Sequence, residues 1–309
     1  ISKRLIALSN ALIGWMRGGL AMVNIVASLF FGGISGSSTA DTASLGTILI
    51  PMMRDEGYDG EFSTCVTMAS SVQGLLIPPS HNMVLYATVA GSVSVGRLFL
   101  AGYVPGIVLA IVLMIYSYVV SVKRHYPKGD PFNIKNVLKT CWESVWGLLT
   151  VLIVVIGVVF GMFTATESAA IAVVYALIVS LFVYRELDLR GIWQVLERGL
   201  NTLAIVLILI STSSAFGWML TYLKMPELVA NAILGVSDNK YVIMLIMNVL
   251  LLVLGCVMDM SALILVCTPI LLPIATGIGV DPVHFGAIMV LNLGIGLITP
   301  PVGGTLFVG

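Results

Sequence analysis

Apolar runs on the scale of a bilayer crossing follow one another along almost the whole chain, at about 19–33, 40–53, 62–76, 80–90, 97–122, 141–160, 166–184, 200–221, 241–256, 263–275 and 283–297. A helical crossing takes roughly 20 apolar residues, and only helices or closed barrels satisfy their backbone in hydrocarbon. Hydrophobic residues make up 59% of the 309 and charged residues 10%, and no loop is long enough to hold a soluble domain. The expected fold is therefore an all-α polytopic membrane protein, with room for roughly ten crossing or re-entrant segments. Several runs are too short to cross alone.

Charge sets the orientation. The loop carrying Lys123, Arg124, Lys128, Lys135 and Lys139 is the strongest basic segment and belongs on the cytoplasmic side. Threading from it puts 54–61 in the cytoplasm, makes 19–53 enter and leave from that side, and makes 241–275 enter and leave from outside. Every Lys and Arg except Arg97, Lys224 and Lys240 then faces the cytoplasm. The stretch 185–199, which mixes charge with Leu, Ile and Trp193, reads as an interfacial helix that could fix a scaffold against the bilayer. Net charge is zero and no basic cluster alternates with aromatics, which excludes a nucleic-acid partner. Cys65, Cys141, Cys256 and Cys267 lack metal or disulfide spacing and read as small core residues. The chain begins at Ile1 and stops in GTLFVG, so it is expected to be truncated at both ends.

Sliding the chain on itself by 222 residues aligns 33–79 with 255–301 without a gap. Identities include Gly33/Gly255, Pro51/Pro273, Gly57/Gly279, Asp59/Asp281, Gly74/Gly296, Pro78/Pro300 and Pro79/Pro301. The threading places an odd number of crossings between the two hairpins, so the second copy is expected upside down relative to the first. Inverted repeats with interrupted helices hold solute and coupling ions near the membrane midplane, at the breaks.

The first break is the polar stretch Gly32–Thr42 (GGISGSSTADT), between two apolar runs of about 14 residues that each cover about half a bilayer. A turn at that depth frees carbonyls and N–H groups, which a cation and an anionic solute would satisfy beside the hydroxyls of Ser35, Ser37, Ser38 and Thr39. The alternative is a buried helix N-cap. Asp41 and, in the matching turn 255–262, Asp259 are intramembrane carboxylates that either bind an ion or cap a helix. They are offset: Asp259 aligns with Ser37. The second pair of breaks is 74–82 (GLLIPPSHN) and 296–303 (GLITPPVG), where Pro-Pro removes two donors, extends the residue before it and frees carbonyls near Gly74 and Gly296. Thr299 adds a hydroxyl in the second copy, and Ser80 is its nearest substitute in the first. His81 and Asn82 could meet a polar solute or be satisfied by neighbouring helices, and Asn292 could line the same cavity or bond an adjacent helix. Glu167 reads as a solvated cap at the outer return turn.

Taken in order, GISGSSTADT at 33–42, IPMMRDEG at 50–57, LIPPS at 76–80, LFLAGYVPG at 98–106, GMFTATESAA at 161–170 and TPPVG at 299–303 resemble the large membrane subunit of TRAP (tripartite ATP-independent periplasmic) transporters. The resemblance covers essentially the whole chain. It implies an elevator-type, Na⁺-coupled secondary importer and no enzyme, in the bacterial inner membrane. A small four-helix membrane subunit and a periplasmic solute-binding protein that delivers an organic acid are the implied partners. Sialic acid and C4-dicarboxylates are among the family's solutes, and the PPSHN variant inclines the reading toward sialic acid. By matching motif, one Na⁺ site would use Ser35, Ser37 and Ser38 with Gly74. A second would use Met258, Asp259 and Met260 with Gly296 and Thr299, mostly through backbone carbonyls.

The expected organisation is an arm or scaffold segment at 1–18 and a first transport repeat at 19–90, with a hairpin and a Pro-Pro-interrupted helix. Scaffold and connecting helices follow at 91–240, then a second, truncated transport repeat at 241–309. A binding-protein-independent Na⁺/carboxylate symporter is the closer alternative. An intramembrane serine protease is the remote one, since 33–36 reads Gly-x-Ser-Gly and His81 could serve as base.

Overall fold

The computed structural model describes residues 2–129, 131–185, 188–237 and 239–309. Among them the chain is helical with no strand: α1 (Ser2–Ile13), α2 (Gly19–Ser35), α3 (Ser38–Asp55), α4 (Gly60–Ser71), α5 (Gln73–Leu76), α6 (His81–Ala90), α7 (Val95–Lys123), α8 (Ile134–Val159), α9 (Ala165–Ile178), α10 (Leu189–Tyr222), α11 (Met225–Leu234), α12 (Lys240–Gly255), α13 (Met260–Gly277) and α14 (Pro282–Gly296). A π-helical turn, Val179–Val183, prolongs α9. Five stretches are long and apolar enough to cross a membrane: Val95–Lys123, Ile134–Val159, Ala165–Val183, Arg190–Leu220 and Met260–Gly277.

Three expectations need correction. The polar turn is far shorter than Gly32–Thr42, because α2 runs on to Ser35 and α3 starts at Ser38, leaving only Gly36 and Ser37. Gly36 makes that tight reversal possible with φ +61°, a conformation open to glycine at little cost. The hairpin arms are therefore 17 and 18 residues long, about 26 Å each, not half a bilayer. The interfacial helix expected at 185–199 is not separate: α10 is one 34-residue helix from Leu189, while Glu186 and Leu187 lie outside the described residues. Its polar first turns and apolar remainder share one unbroken hydrogen-bond ladder, and no Pro or capping signal divides them. Finally, Cys65 and Cys141 are exposed, and only Cys256 and Cys267 are buried. In a membrane protein an apolar residue can face lipid as readily as core.

Two features match the charge and cap reasoning closely. Glu167 forms a capping box with Thr164 at the start of α9, accepting from the Thr164 backbone N–H at 2.8 Å. Asp59, at the head of α4, accepts from the Tyr126 hydroxyl at 2.6 Å and pairs with Arg124. The Tyr126 hydroxyl first and the Arg124 guanidinium second hold the Asp59 carboxyl below the ordinary carboxylate range. A depressed folded pKa stabilises the fold above the unfolded value of about 3.9 and loses that contribution as pH falls through the folded value. The melting-temperature gap between the wild type and Asp59→Asn should thus stay constant from pH 8 to 5 and close below about pH 4. A gap that changes between pH 8 and 5 would refute this assignment.

Residues 222 apart occupy like places. Ser37 and Asp259 are the N-caps of α3 and α13, and Asp59 and Asp281 sit at the N-caps of α4 and α14. Gly57 and Gly279 both have positive φ, and both Pro-Pro bonds, Pro78-Pro79 and Pro300-Pro301, are cis. Ile77, before the first of them, is extended as Pro requires. The halves interlock: α13 packs on α6, and α14 packs on α5, α6 and α7. One apolar core joins Leu75, Met83 and Tyr86 to Met247, Leu263, Phe285 and Leu293. The Tyr86 hydroxyl donates to the Pro282 carbonyl at 2.7 Å, tying α6 to the head of α14.

Candidate ion and solute site

The first hairpin tip is built around a buried carboxylate. Asp41 lies in the first turn of α3 with no solvent exposure. Ser35, the last residue of α2, donates its hydroxyl to Asp41 Oδ1 at 2.5 Å across the turn. Asp41 Oδ2 is buried without a partner, and it lies so close to Gly74 that a Cβ placed there would be 2.7 Å from it. Hairpin tip and Pro-Pro break thus meet at Gly74, through α2 as well: a Cβ on Gly32 would lie 2.3 Å from the Gly74 Cα. The second half repeats this approach, with Gly255 against Gly296. Small residues let helices come this near in a membrane.

Around this point the other predicted residues sort themselves. Ser37 caps α3 and bonds Thr39 at 3.0 Å. Ser38 is buried and bonds Ser71 at 2.6 Å and Thr305 at 3.1 Å, so the first tip also touches the segment after the second Pro-Pro. Ser80 is buried with its hydroxyl unpartnered, as is Thr42. His81 donates from Nδ1 to the Gly36 carbonyl at 2.9 Å, locking the first break onto the hairpin turn. In the second half the N–H groups of Val302 and Gly303 do the same to the Cys256 carbonyl, at 3.0 and 3.2 Å. Ser35 and His81 are each engaged elsewhere, so the nucleophile and base of the protease alternative do not form a pair. Asn82 is buried and accepts from Ser261 at 3.5 Å.

The second tip is chemically unlike the first. Asp259 is exposed and caps α13 through the Ser261 N–H at 2.8 Å. Met258 is exposed and Met260 is buried in the apolar core. The Thr299 hydroxyl donates to the Ile295 carbonyl at 2.7 Å, and the Gly296 carbonyl accepts from the Thr299 N–H at 3.0 Å. Asn292, one turn before Gly296 on α14, turns to α12: its amide donates to the carbonyl and side chain of Asn248, both at 2.9 Å. A buried polar seam between α2 and α4 was not foreseen. In it Asn24 donates to Thr67 at 2.6 Å and Ser28 meets Ser70 at 2.9 Å. Its signal was present as polar residues at helical spacing within apolar runs.

The first tip gathers oxygen donors around a buried carboxylate. A desolvated ionised carboxylate with one free oxygen and no described basic partner is strongly unfavourable unless a cation or a proton joins it. Among the described residues no group of three or more His, Cys, Asp or Glu suits a transition metal. The available donors are carboxylate, hydroxyl and backbone oxygen, which suit hard cations.

All 309 residues match the family described as the tripartite ATP-independent periplasmic transporter, DctM component. The chain belongs to that family. This DctM-family permease is 45% identical, over its full length and 71% of the relative's, to YgiK of Salmonella typhimurium, a protein designated uncharacterized. It is 40% identical to the sialic acid TRAP transporter large permease protein SiaM of Vibrio cholerae, covering 72% of it. It is also 42% identical to the isethionate TRAP transporter permease protein DctMQ of Oleidesulfovibrio alaskensis, of which it spans about half. The permease is accordingly an integral protein of the bacterial inner membrane, and the SiaM and DctMQ relatives are TRAP transporter permeases.

Proposed function

We propose that this permease imports an organic acid in symport with Na⁺, receiving the solute from a periplasmic solute-binding protein and working beside a small four-helix membrane subunit. The observation that carries the proposal is Asp41: a buried carboxylate, tied to Ser35 and set against Gly74, whose free oxygen calls for a cation. Ser35, Ser37, Ser38, Asp41 and Gly74 form the first Na⁺ site. Met258, Asp259, Met260, Gly296 and Thr299 form a second, in which backbone oxygen dominates because the hydroxyl and the capping carboxylate are already engaged. Thr39, Ser80, His81, Asn82 and Asn292 are the solute-facing candidates, of which Ser80 has a free buried hydroxyl.

The like placement of residues 222 apart supports two inverted repeats, 19–90 and 241–309, that move as a transport domain in an elevator cycle. Residues 1–18 and 91–240 then supply arm and scaffold. The named relatives divide between sialic acid and isethionate, both acids, with sialic acid as the lead solute. The test is uptake into proteoliposomes holding the permease, its small subunit and the binding protein. Uptake should require an inward Na⁺ gradient, each entering charge contributing ~2.3 kcal/mol per 100 mV. Equal uptake with Na⁺ replaced by choline would sink the coupling, and equal uptake without the binding protein would sink that partner.

A further inference from the structure

Between α2, α4 and α7 runs a crevice of about 280 Å³. From α4 it takes Phe62, Cys65, Val66 and Ala69, and Glu61 and Arg124 stand at its charged end. By the charge-based threading that end faces the cytoplasm. Residues 62, 66, 69 and 73 fall at helical spacing on one face. Val72, between α4 and α5, keeps right-handed helical angles (φ −60°, ψ −28°), so the face continues through the junction. It ends at Gln73, one helical turn or about 6 Å beyond Ala69.

Gln73 has no solvent exposure, and both its amide nitrogen and its amide oxygen are without a partner. Buried amides in folded proteins are bonded to protein or to water almost without exception, and a bare one costs the full desolvation of both groups. Gln73 also precedes Gly74, where the Asp41 oxygen is free.

We propose that the crevice is a hydrated path that continues past Ala69 to Gln73 and exchanges water, and with it the coupling cation, between the cytoplasmic surface and the Gly74 end of the first ion site. Its water-conducting part rests on Ala69 lining the crevice and on the unpartnered Gln73 amide one turn deeper, and its cation part rests on the Na⁺ reading above. Gln73 supplies the polar lining at the inner end, presenting an acceptor to a cation and donors to its water shell.

The experiment uses the permease assembled with its partners in inside-out vesicles, with Cys65→Ser and Cys141→Ser removing the exposed thiols. Ala69→Cys should react with a small membrane-impermeant thiosulfonate at a rate within tenfold of native Cys65 in the otherwise matched background. Reaction of Cys65 with Ala69→Cys inert would overturn the path. Gln73→Leu fills the same volume without polar atoms; it should hold or raise the melting temperature yet cut Na⁺-dependent uptake at least fivefold. Unchanged uptake in that variant would show Gln73 to be packing alone and overturn the proposal. Labelling of Ala69→Cys together with Na⁺-independent uptake would uphold water entry as far as Ala69 and overturn the cation reading.

Discussion

Asp41→Asn is expected to reduce Na⁺-dependent uptake about a hundredfold while the chain still inserts and folds, a loss equivalent to ~2.7 kcal/mol. Asparagine keeps the size of the side chain and an oxygen to accept from Ser35, so the hairpin turn retains the bond that closes it. What disappears is the charge on the free oxygen beside Gly74. Interactions that involve an ionised group are worth roughly 1.5–3 kcal/mol more than nothing and fall to about half when neutral. The measurement is initial uptake rate against Na⁺ concentration, with expression and melting temperature as controls. Unaltered rate and unaltered Na⁺ dependence would make Asp41 a structural residue and remove the basis for the first ion site.

The second large effect concerns contact between helices. Gly32→Ala and Gly296→Ala each place a methyl group against backbone: 2.3 Å from the Gly74 Cα in the first case, 2.7 Å from Gly255 in the second. Backbone cannot swing aside as a side chain can, so the hairpin must separate from the Pro-Pro break. Overpacking of this kind costs ~1–3 kcal/mol, and here it also displaces Gly74 or Gly296 from the tip. Both variants should lose most uptake and melt several degrees lower. Gly277→Ala is the control, because nothing lies within 4 Å of its added methyl. Equal melting temperatures for all three would show that the glycine contacts are loose.

Hydrophobic run length, charge asymmetry and the 222-residue self-alignment made most of the helices legible, because each is a property of local sequence under a strong membrane constraint. The same strength explains the misses. An apolar run does not record where a helix stops when polar residues continue its ladder, so α2 absorbed Gly32–Ser35 and α10 absorbed the segment after Leu189. It also does not separate lipid-facing from core-facing positions, which is why Cys65 and Cys141 were misplaced. The site was readable in parts. Ser35, Asp41 and Gly74 were singled out from residue type, and the structure brings them together. Gln73 and Thr42 were passed over, because a polar residue beside a helix break is unremarkable until its burial and missing partners are visible.

The hydrogen bond from Ser261 to Asn82 joins residues 179 apart, and the packing of α13 on α6 has the same reach. At a synthesis rate of roughly 5–20 residues per second, α6 emerges roughly 10–40 s before the helix that covers it. The Asn24–Thr67 and Ser28–Ser70 pairs join residues only 43 and 42 apart. They close within the half that is made first, while it waits in the bilayer. The corresponding positions 222 residues later, Ile246, Leu250 and Met289, are apolar apart from Asn292. The second half closes on itself over the same reach, but through one pair, Asn292 with Asn248, 44 residues apart, so each half can seal its own seam before the two dock.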